Sequence, residues 1–365
     1  MRIEDIWWKR LSNPVNLIES VVDILLDNRS VVVVFDDDLP WRETFMEAIS
    51  EEVEVYSSEM RTKHHSLADH QDPGDFLLKH YCSAEVQREY WPPDSKAGFL
   101  ANRPQVSLNK SYVFVDLKGD SSKWVSFIKE YTSYFEEGVP HGLFVLFTTD
   151  RKFLESGKKK GEDDESASSP IQFLDYTEFI HDYDTYLLCM TLLSQKKLSM
   201  LQQQYLSEIV VALSGNNVAL AGALADSGEV LAEHTQQVTD QVLRELNLSQ
   251  KALHLDIGQA LWQAQLKILF PILEKFRQNF ISVYKKEVDA LFYAPHPSLK
   301  FDCETSEELE IGQLYLLFVN TRILPFHDYD LLHSARLARN HLAHLEALPY
   351  QELKSLFTIS IKGKD

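Results

Sequence analysis

Short apolar runs alternate with helical patterns through the first half of the chain. Val31-Val32-Val33-Val34-Phe35 is continuous and β-branched, which fits a strand buried on both faces rather than a surface helix. Tyr112-Val113-Phe114-Val115-Asp116 and Leu143-Phe144-Val145-Leu146-Phe147 read the same way, and Tyr186-Leu187-Leu188 reads as a fourth strand. Helical spacing lies between them, at 42–52 and 121–137. Strand alternating with helix predicts a parallel sheet covered on both faces, here over 1–190.

From residue 193 the strand signal stops. Residues 191–256 read as a helical connector of two or three short helices, with Gly215 and Gly228 as stops. Residues 257–292 carry Trp262, Leu266, Leu269, Phe270, Leu273, Phe276, Phe280 and Tyr284 on one side of a long helix. Pro271 is expected to kink it, and Pro295 and Pro297 to end it. Further helices are expected at 305–320, opened by a capping-box-like Thr305-Ser306-Glu307-Glu308, at 328–346 and at 350–358. The fold class is therefore an α/β domain followed by an all-α domain over 257–365.

The segment 331–346 carries the densest chemistry. At 100° per residue, Leu331, Ala335, Ala338, Leu342 and Leu345 fall on one face. Arg336, Asn340 and His344 fall opposite, at i, i+4 and i+8, with Arg339 on the flank. A helix anchored by its apolar stripe would present arginine, asparagine and histidine as a fixed group.

Composition narrows the function classes. With 44% hydrophobic and 25% charged residues, the chain has the makeup of a folded protein with a real core. A formal net charge of −19 repels nucleic acid as a whole body, so contact with a polynucleotide requires a small local site or a partner. Cys82, Cys189 and Cys303 are too scattered for a disulfide framework or a metal knuckle. The opening MRIEDIWWKR lacks the apolar region of a secretory signal and no apolar run is long enough to span a bilayer, so the expected place is the cytoplasm, with no membrane partner. Residues 156–170 (SGKKKGEDDESASSP) read as a surface loop. His64, His65, His70 and His80 follow no standard metal-ligand spacing and read as a polar loop.

Two resemblances follow from these residues. Val113–Asp116 is similar to the Walker B strand of P-loop NTPases of the AAA and STAND type, and Phe144–Asp150 to their sensor strand. The phosphate loop is missing: after Val31–Phe35 comes Asp36-Asp37-Asp38-Leu39-Pro40-Trp41, where three acids repel phosphate and Pro40 removes a donor. That pattern implies a degenerate NTPase-like fold with no nucleotide cofactor and no ATP hydrolysis. The aspartates read as a solvated strand-to-helix turn, with a metal-dependent nuclease as the competing reading.

The second resemblance covers 257–360. Arg339-Asn340-x3-His344 resembles the R-x4–6-H motif of the HEPN superfamily, and Arg336-x4-His341 matches a looser form one turn earlier. The long helix from Trp262 to Tyr284 resembles the first HEPN helix, and Glu308–Leu314, with Glu310 as a further polar site residue, resembles the second. The resemblance implies metal-independent RNA cleavage in a bacterial phage-defence or toxin setting, with no metal and no cofactor. His344 would move protons, Arg339 would stabilise the crowded phosphate, and Asn340 would orient either. Arg336, His341 and Glu310 are secondary candidates. It also implies a homodimer of two half-sites. The alternative is a non-catalytic scaffold subunit that binds partner proteins of a larger defence complex.

Overall fold

The computed structural model describes residues 2–36, 39–57, 59–67, 72–103, 105–136, 139–152, 154, 169–248, 256–294 and 301–359. Asp37, Asp38, His70, Pro295, Pro297 and residues 156–168 of the expected loop lie outside them. The chain divides into two compact units, Met1–Asp184 and Thr185–Asp365.

The first unit is built on a five-stranded sheet. Its strands are β1 (Ser30–Val34), β2 (Arg61–Leu67), β3 (Ser111–Leu117), β4 (Leu143–Thr148) and β5 (Ile171–Asp175), in the spatial order β2-β3-β4-β1-β5. Every pairing is parallel, with Val33 opposite Phe147 and Val113 opposite Phe144. Alternation along each strand divides the core into two layers. On one face Phe147 meets Phe45 at 5.9 Å between ring centroids, and Phe45 meets Trp8 at 4.4 Å. Those two residues come from α1 (Ile3–Arg10) and α3 (Arg42–Tyr56), which pack with α2 (Ser12–Leu26). On the other face Val32, Val34, Val113, Val115, Phe144 and Leu146 cluster with Phe76, Leu77, Leu100, Trp124 and Ile128.

Three of the expected strands are present, and two expectations are corrected. Tyr186–Leu188 is not a strand; it lies inside the helix Asp182–Ser194. Asp182 and Asp184 in the first turn favour a helix start, and the helix runs on through the apolar stretch to Ser194. The histidine-rich stretch is not a loop: Arg61–Leu67 is the edge strand β2, whose polar sequence hid it. Its alternation sends His64 onto the Phe114 ring, at 4.7 Å, and His65 to the opposite face, where its Nε2 lies 2.8 Å from the Tyr81 hydroxyl. Burial holds both imidazoles below the ordinary histidine value. They cannot converge on one ion. The strand β5 had no expected counterpart.

The second unit is helical. Residues 200–245 form four helices, Met200–Ser214, Val218–Asp226, Glu229–Glu233 and Thr235–Glu245, and these belong to the same unit as the rest of the C-terminal half. Gly215 ends the first of them as expected, while Gly228 serves as the N-cap of the third. Met200–Ser214 packs along the long helix Ile257–Val283, which runs through Pro271; the interruption falls at Tyr284. The expected helix at 305–320 is shorter. Ser306–Glu308 is a single 3-10 turn, and the capping box is formed by Glu310 and Gln313 at the head of Ile311–Phe318. Thr305 spends its hydroxyl on the Glu308 carboxylate instead, at 3.0 Å. The motif helix is Phe326–Ala343, and Tyr350–Leu356 follows it.

Buried polar contacts fix the motif helix at both ends. At its start the Tyr284 hydroxyl donates to the Asp328 carboxylate, which is 3% exposed. Burial, and then the Asp328 charge, push the Tyr284 phenol well above its ordinary value, so it remains a donor. Beyond its end, Gln265 is 1% exposed; its Nε2 donates to the Leu348 carbonyl at 2.8 Å and its Oε1 accepts from the Leu348 N–H at 2.7 Å. The final helix is tied down by Glu229, which accepts from Lys354 at 2.7 Å, Tyr350 at 2.9 Å and Gln202 at 3.0 Å. Lys354 first, then these hydroxyl and amide donors, hold the Glu229 carboxyl below its ordinary value. Its contribution is therefore present above the unfolded glutamate value and lost as pH falls through the lowered one. No helix of the described residues is long and apolar enough to cross a membrane.

The Gln265 clamp gives a direct expectation. Gln265→Leu keeps the volume but strands the Leu348 N–H and carbonyl, at about 1–3 kcal/mol for each unsatisfied group. Urea unfolding of the full chain should move to lower denaturant for the second unit, whereas the exposed neighbour Gln263→Leu should stay within about 0.5 kcal/mol of the parent. Equal midpoints for the two variants would remove the clamp from the account.

Candidate functional site

Two regions carry candidate chemistry, one in each unit. In the first, the chain leaves β1 for one edge of the sheet and leaves β4 for the other, and open α/β sheets bind ligands outside strand ends where connections diverge in this way. Here that place is filled by the protein's own charges. Arg42, at the start of α3, pairs with Asp116 of β3 and lies over the Phe35 ring at 4.9 Å. Arg151, after β4, bridges Asp36 after β1 and the buried Asp175 at the end of β5. Asp175 also accepts from the Thr177 N–H at 3.0 Å and hydroxyl at 2.7 Å. Lys152 pairs with Asp120 and, at 3.0 Å, with Asp150. Burial raises the Asp150 carboxyl, but bonds from Lys152 and Ser121 outweigh it and hold the group below its ordinary value.

Asp36 is thus a tether for Arg151 rather than a free acid. Sequence reasoning missed Arg42 and Arg151 because their partners become neighbours only once the strand order is known.

In the second unit the candidate residues lie on or just beyond the helix Phe326–Ala343. Its inner face is Leu332, Ala335, Ala338 and Leu342, all buried. Leu331 is only partly buried and Leu345 is 69% exposed, which corrects the expected stripe. The reason is that the helix stops at Ala343. His344 is the C-cap and Leu345 turns into the left-handed region, at φ 62°. The Glu346 N–H bonds to the His341 carbonyl at 2.9 Å and the Leu345 N–H to the Leu342 carbonyl at 3.3 Å, which is a Schellman ending. The Trp262 indole N–H takes the Leu342 carbonyl as well, at 2.9 Å. Glycine normally holds the left-handed position of this motif, and leucine there is strained.

Around this helix the candidates separate. Arg339 points its Nη2 at Glu310 Oε2, at 2.5 Å, and both side chains are exposed. His341 Nδ1 lies 3.2 Å from Glu346 Oε2, near enough for charge attraction when protonated but off the line of a hydrogen bond. Arg336 lays its guanidinium on the Tyr315 ring at 4.4 Å. Asn340 is half-buried and His344 is exposed. Arg339 and His344, five residues apart, are offset by roughly 140° around the axis, while Arg336, Asn340 and His344 stay on one side. Arg339 therefore joins Glu310 and not His344.

No protein-family model and no curated protein matches the chain.

Tyr315 is the residue that sequence reasoning missed at this site. It lies in Ile311-Gly312-Gln313-Leu314-Tyr315-Leu316-Leu317-Phe318, where the surrounding leucines made it look like core. The three cysteines are free, with Cys82 and Cys189 buried and Cys303 partly so. Among the described residues no three histidine, cysteine, aspartate or glutamate side chains converge as a metal site would require.

Two outcomes follow from this geometry. Mg-ATP should leave the melting temperature unchanged, because Arg42 and Arg151, the arginines at these strand ends that could face phosphate, are already paired with carboxylates. A ligand at 100 times its Kd adds about 2.7 kcal/mol, so a clear rise with Mg-ATP would contradict this. Leu345→Gly should stabilise the second unit by about 1 kcal/mol by relieving the left-handed leucine. A lower urea midpoint for Leu345→Gly would show that the leucine side chain makes a contact worth more than the strain.

Proposed function

We propose that the second unit is a HEPN-type, metal-independent RNA-cleaving module acting in bacterial phage defence or a toxin system. The first unit serves in this reading as a nucleotide-independent platform of degenerate NTPase-like fold. One observation carries the proposal: a helix anchored by polar contacts at both ends, with His344 as its C-cap, holds Arg336, Asn340 and His344 on one side. The R-x4–6-H resemblance gives that line its chemistry.

The reaction is transesterification. The ribose 2′-OH attacks the adjacent phosphorus, the new 2′-O–P bond forms, the P–O5′ bond breaks, and a cyclic phosphate and a 5′-OH end result. The 2′-OH proton leaves to a base and the departing 5′ oxygen takes one from an acid; an imidazole can do both near neutral pH. His344 takes that role and Asn340 orients it. Arg339 supplies charge to the phosphorane once it leaves Glu310. That step is cheap, because an exposed pair is worth about 0–1 kcal/mol.

The offset between Arg339 and His344 favours a site shared by two copies, since one helix does not aim both at one phosphate. Phe326, 81% exposed, and Leu337, 43% exposed, share the side of the helix that carries His344 and offer apolar area for such a homodimer. The second reading is a non-catalytic scaffold for partner proteins of a defence complex. The intrachain Arg339–Glu310 pair and the His341–Glu346 approach favour it, because both spend motif residues on local structure.

The test is cleavage of a mixed RNA pool in EDTA, with melting temperatures alongside. The parent should cut. His344→Ala should lose about 10²–10⁴ in rate and keep its fold, since the exposed side chain leaves no core cavity. Arg339→Lys should also fail, because lysine lacks the planar fork. Full activity in both variants would show that the site is misassigned, and a parent that does not cut RNA would favour the scaffold.

A further inference from the structure

The Arg336 guanidinium differs from the other cations described above. Arg42, Arg151, Lys152 and Arg339 all face carboxylates, in a protein of net charge −19. Arg336 has no carboxylate within ion-pair distance among the described residues and no hydrogen-bond acceptor for its donors. Its guanidinium carbon lies over the Tyr315 ring, 4.4 Å from the centroid. A guanidinium stacked on a ring keeps its plane fixed and its edge N–H groups free, which is the form in which arginine grips a planar or tetrahedral oxyanion by two bonds.

The surroundings of the ring are built to hold it. The Tyr315 and Tyr329 hydroxyls lie 3.0 Å apart, and the His333 ring sits 5.2 Å from the Tyr315 ring. His333 Nδ1 is buried with no hydrogen-bond partner. Tyr329, His333, Arg336 and Asn340 occupy one side of the motif helix, within about 60° of each other. Arg336 is about 12 Å along the axis from His344 at 1.5 Å per residue, a separation that a few nucleotides of backbone span.

We propose that Tyr315, His333 and Arg336 form a docking subsite for a phosphodiester of single-stranded RNA, about two to three turns from His344. The proposal rests on the RNA-cleaving reading and names the group that positions its substrate. In this arrangement Arg336 supplies the charge, Tyr315 fixes the guanidinium plane and His333 supports the ring. The subsite places the strand; the bond is broken elsewhere, at His344. A local cation of this kind is also what an acidic protein needs to hold a polyanion, because its overall field repels one.

The experiment measures binding of a short single-stranded 2′-O-methyl oligouridylate to the full chain. Methylation removes the attacking hydroxyl, so binding is read without cleavage. Arg336→Gln should weaken binding about 10-fold and reduce the steepness of the salt dependence by about 0.7, the contribution of one single-strand phosphate contact. Tyr315→Leu should weaken it comparably although every charge remains, and Tyr315→Phe should bind like the parent because the ring is kept. The double variant Tyr315→Leu/Arg336→Gln should lose little more than either single variant, as residues acting as one unit do. Arg336→Lys, which keeps charge without the plane, should resemble Arg336→Gln and stands in should Tyr315→Leu fail to fold. Unchanged affinity in Tyr315→Leu, an additive loss in the double variant, or full binding by Arg336→Lys would overturn the subsite. So would a parent that does not bind the oligonucleotide; cleavage of unmodified RNA by that parent in EDTA would then show that the catalytic reading stands without it.

Discussion

Gln265 is a primary amide inside an apolar helix packing, and such a group costs free energy unless both its ends are bonded. It meets that demand with the backbone of Leu348 in both directions, at 2.7 and 2.8 Å, and reaches the Tyr205 hydroxyl at 3.2 Å. The consequence is local order where a loop would otherwise wander. The segment after the motif helix is pinned to the long helix, Trp262 takes the Leu342 carbonyl one turn earlier, and the chain must reverse between the two. That short reversal forces Leu345 into the left-handed region and leaves His344 as the C-cap, held by backbone bonds to Asn340 and His341 and exposed at its ring. The position of the proposed proton-transfer group is thus set by an amide that touches no substrate.

The two units spend their cations differently. In the first, Arg42 and Arg151 cross-brace the strand ends of the sheet and close the place where a parallel sheet would receive a ligand. In the second, Arg339 is loosely engaged by one exposed glutamate and Arg336 rests on an aromatic ring with its donors unspent. Ion pairs near solvent contribute little stability, so Arg339 is held in place more than it is stabilised. An arginine stacked on tyrosine, by contrast, is oriented without being neutralised.

The parts of this fold legible in the sequence were those set by burial on both sides. The strands Ser30–Val34, Ser111–Leu117 and Leu143–Thr148 are central in the sheet, and continuous apolar runs disclose them. The edge strands were not legible. Arg61–Leu67 is paired on one side only and reads as polar loop, and Ile171–Asp175 is short with two half-exposed positions. Helix ends were legible only where a cap was local. Asp256 caps the long helix through the Gln259 N–H, at 3.0 Å, but the stop at Ala343 comes from Trp262 and Gln265, some eighty residues away. For that reason the helical wheel placed Arg336 and Asn340 together correctly yet carried Leu345 into a stripe it does not join. The partner Tyr315 lies on a neighbouring helix brought close by packing, which spacing along one helix cannot show.

The motif helix is held chiefly by its buried inner face and its ends, so that Arg336, Asn340 and His344 are not needed to keep it in place. The most direct test is the triple variant Arg336→Ala/Asn340→Ala/His344→Ala beside the parent, with urea unfolding and RNA cleavage in EDTA measured on the same samples. The expected result is a stability within about 1 kcal/mol of the parent, as surface and cation–π losses allow, together with loss of cleavage. A variant that unfolds, or one that still cuts RNA at the parent's rate, would contradict it.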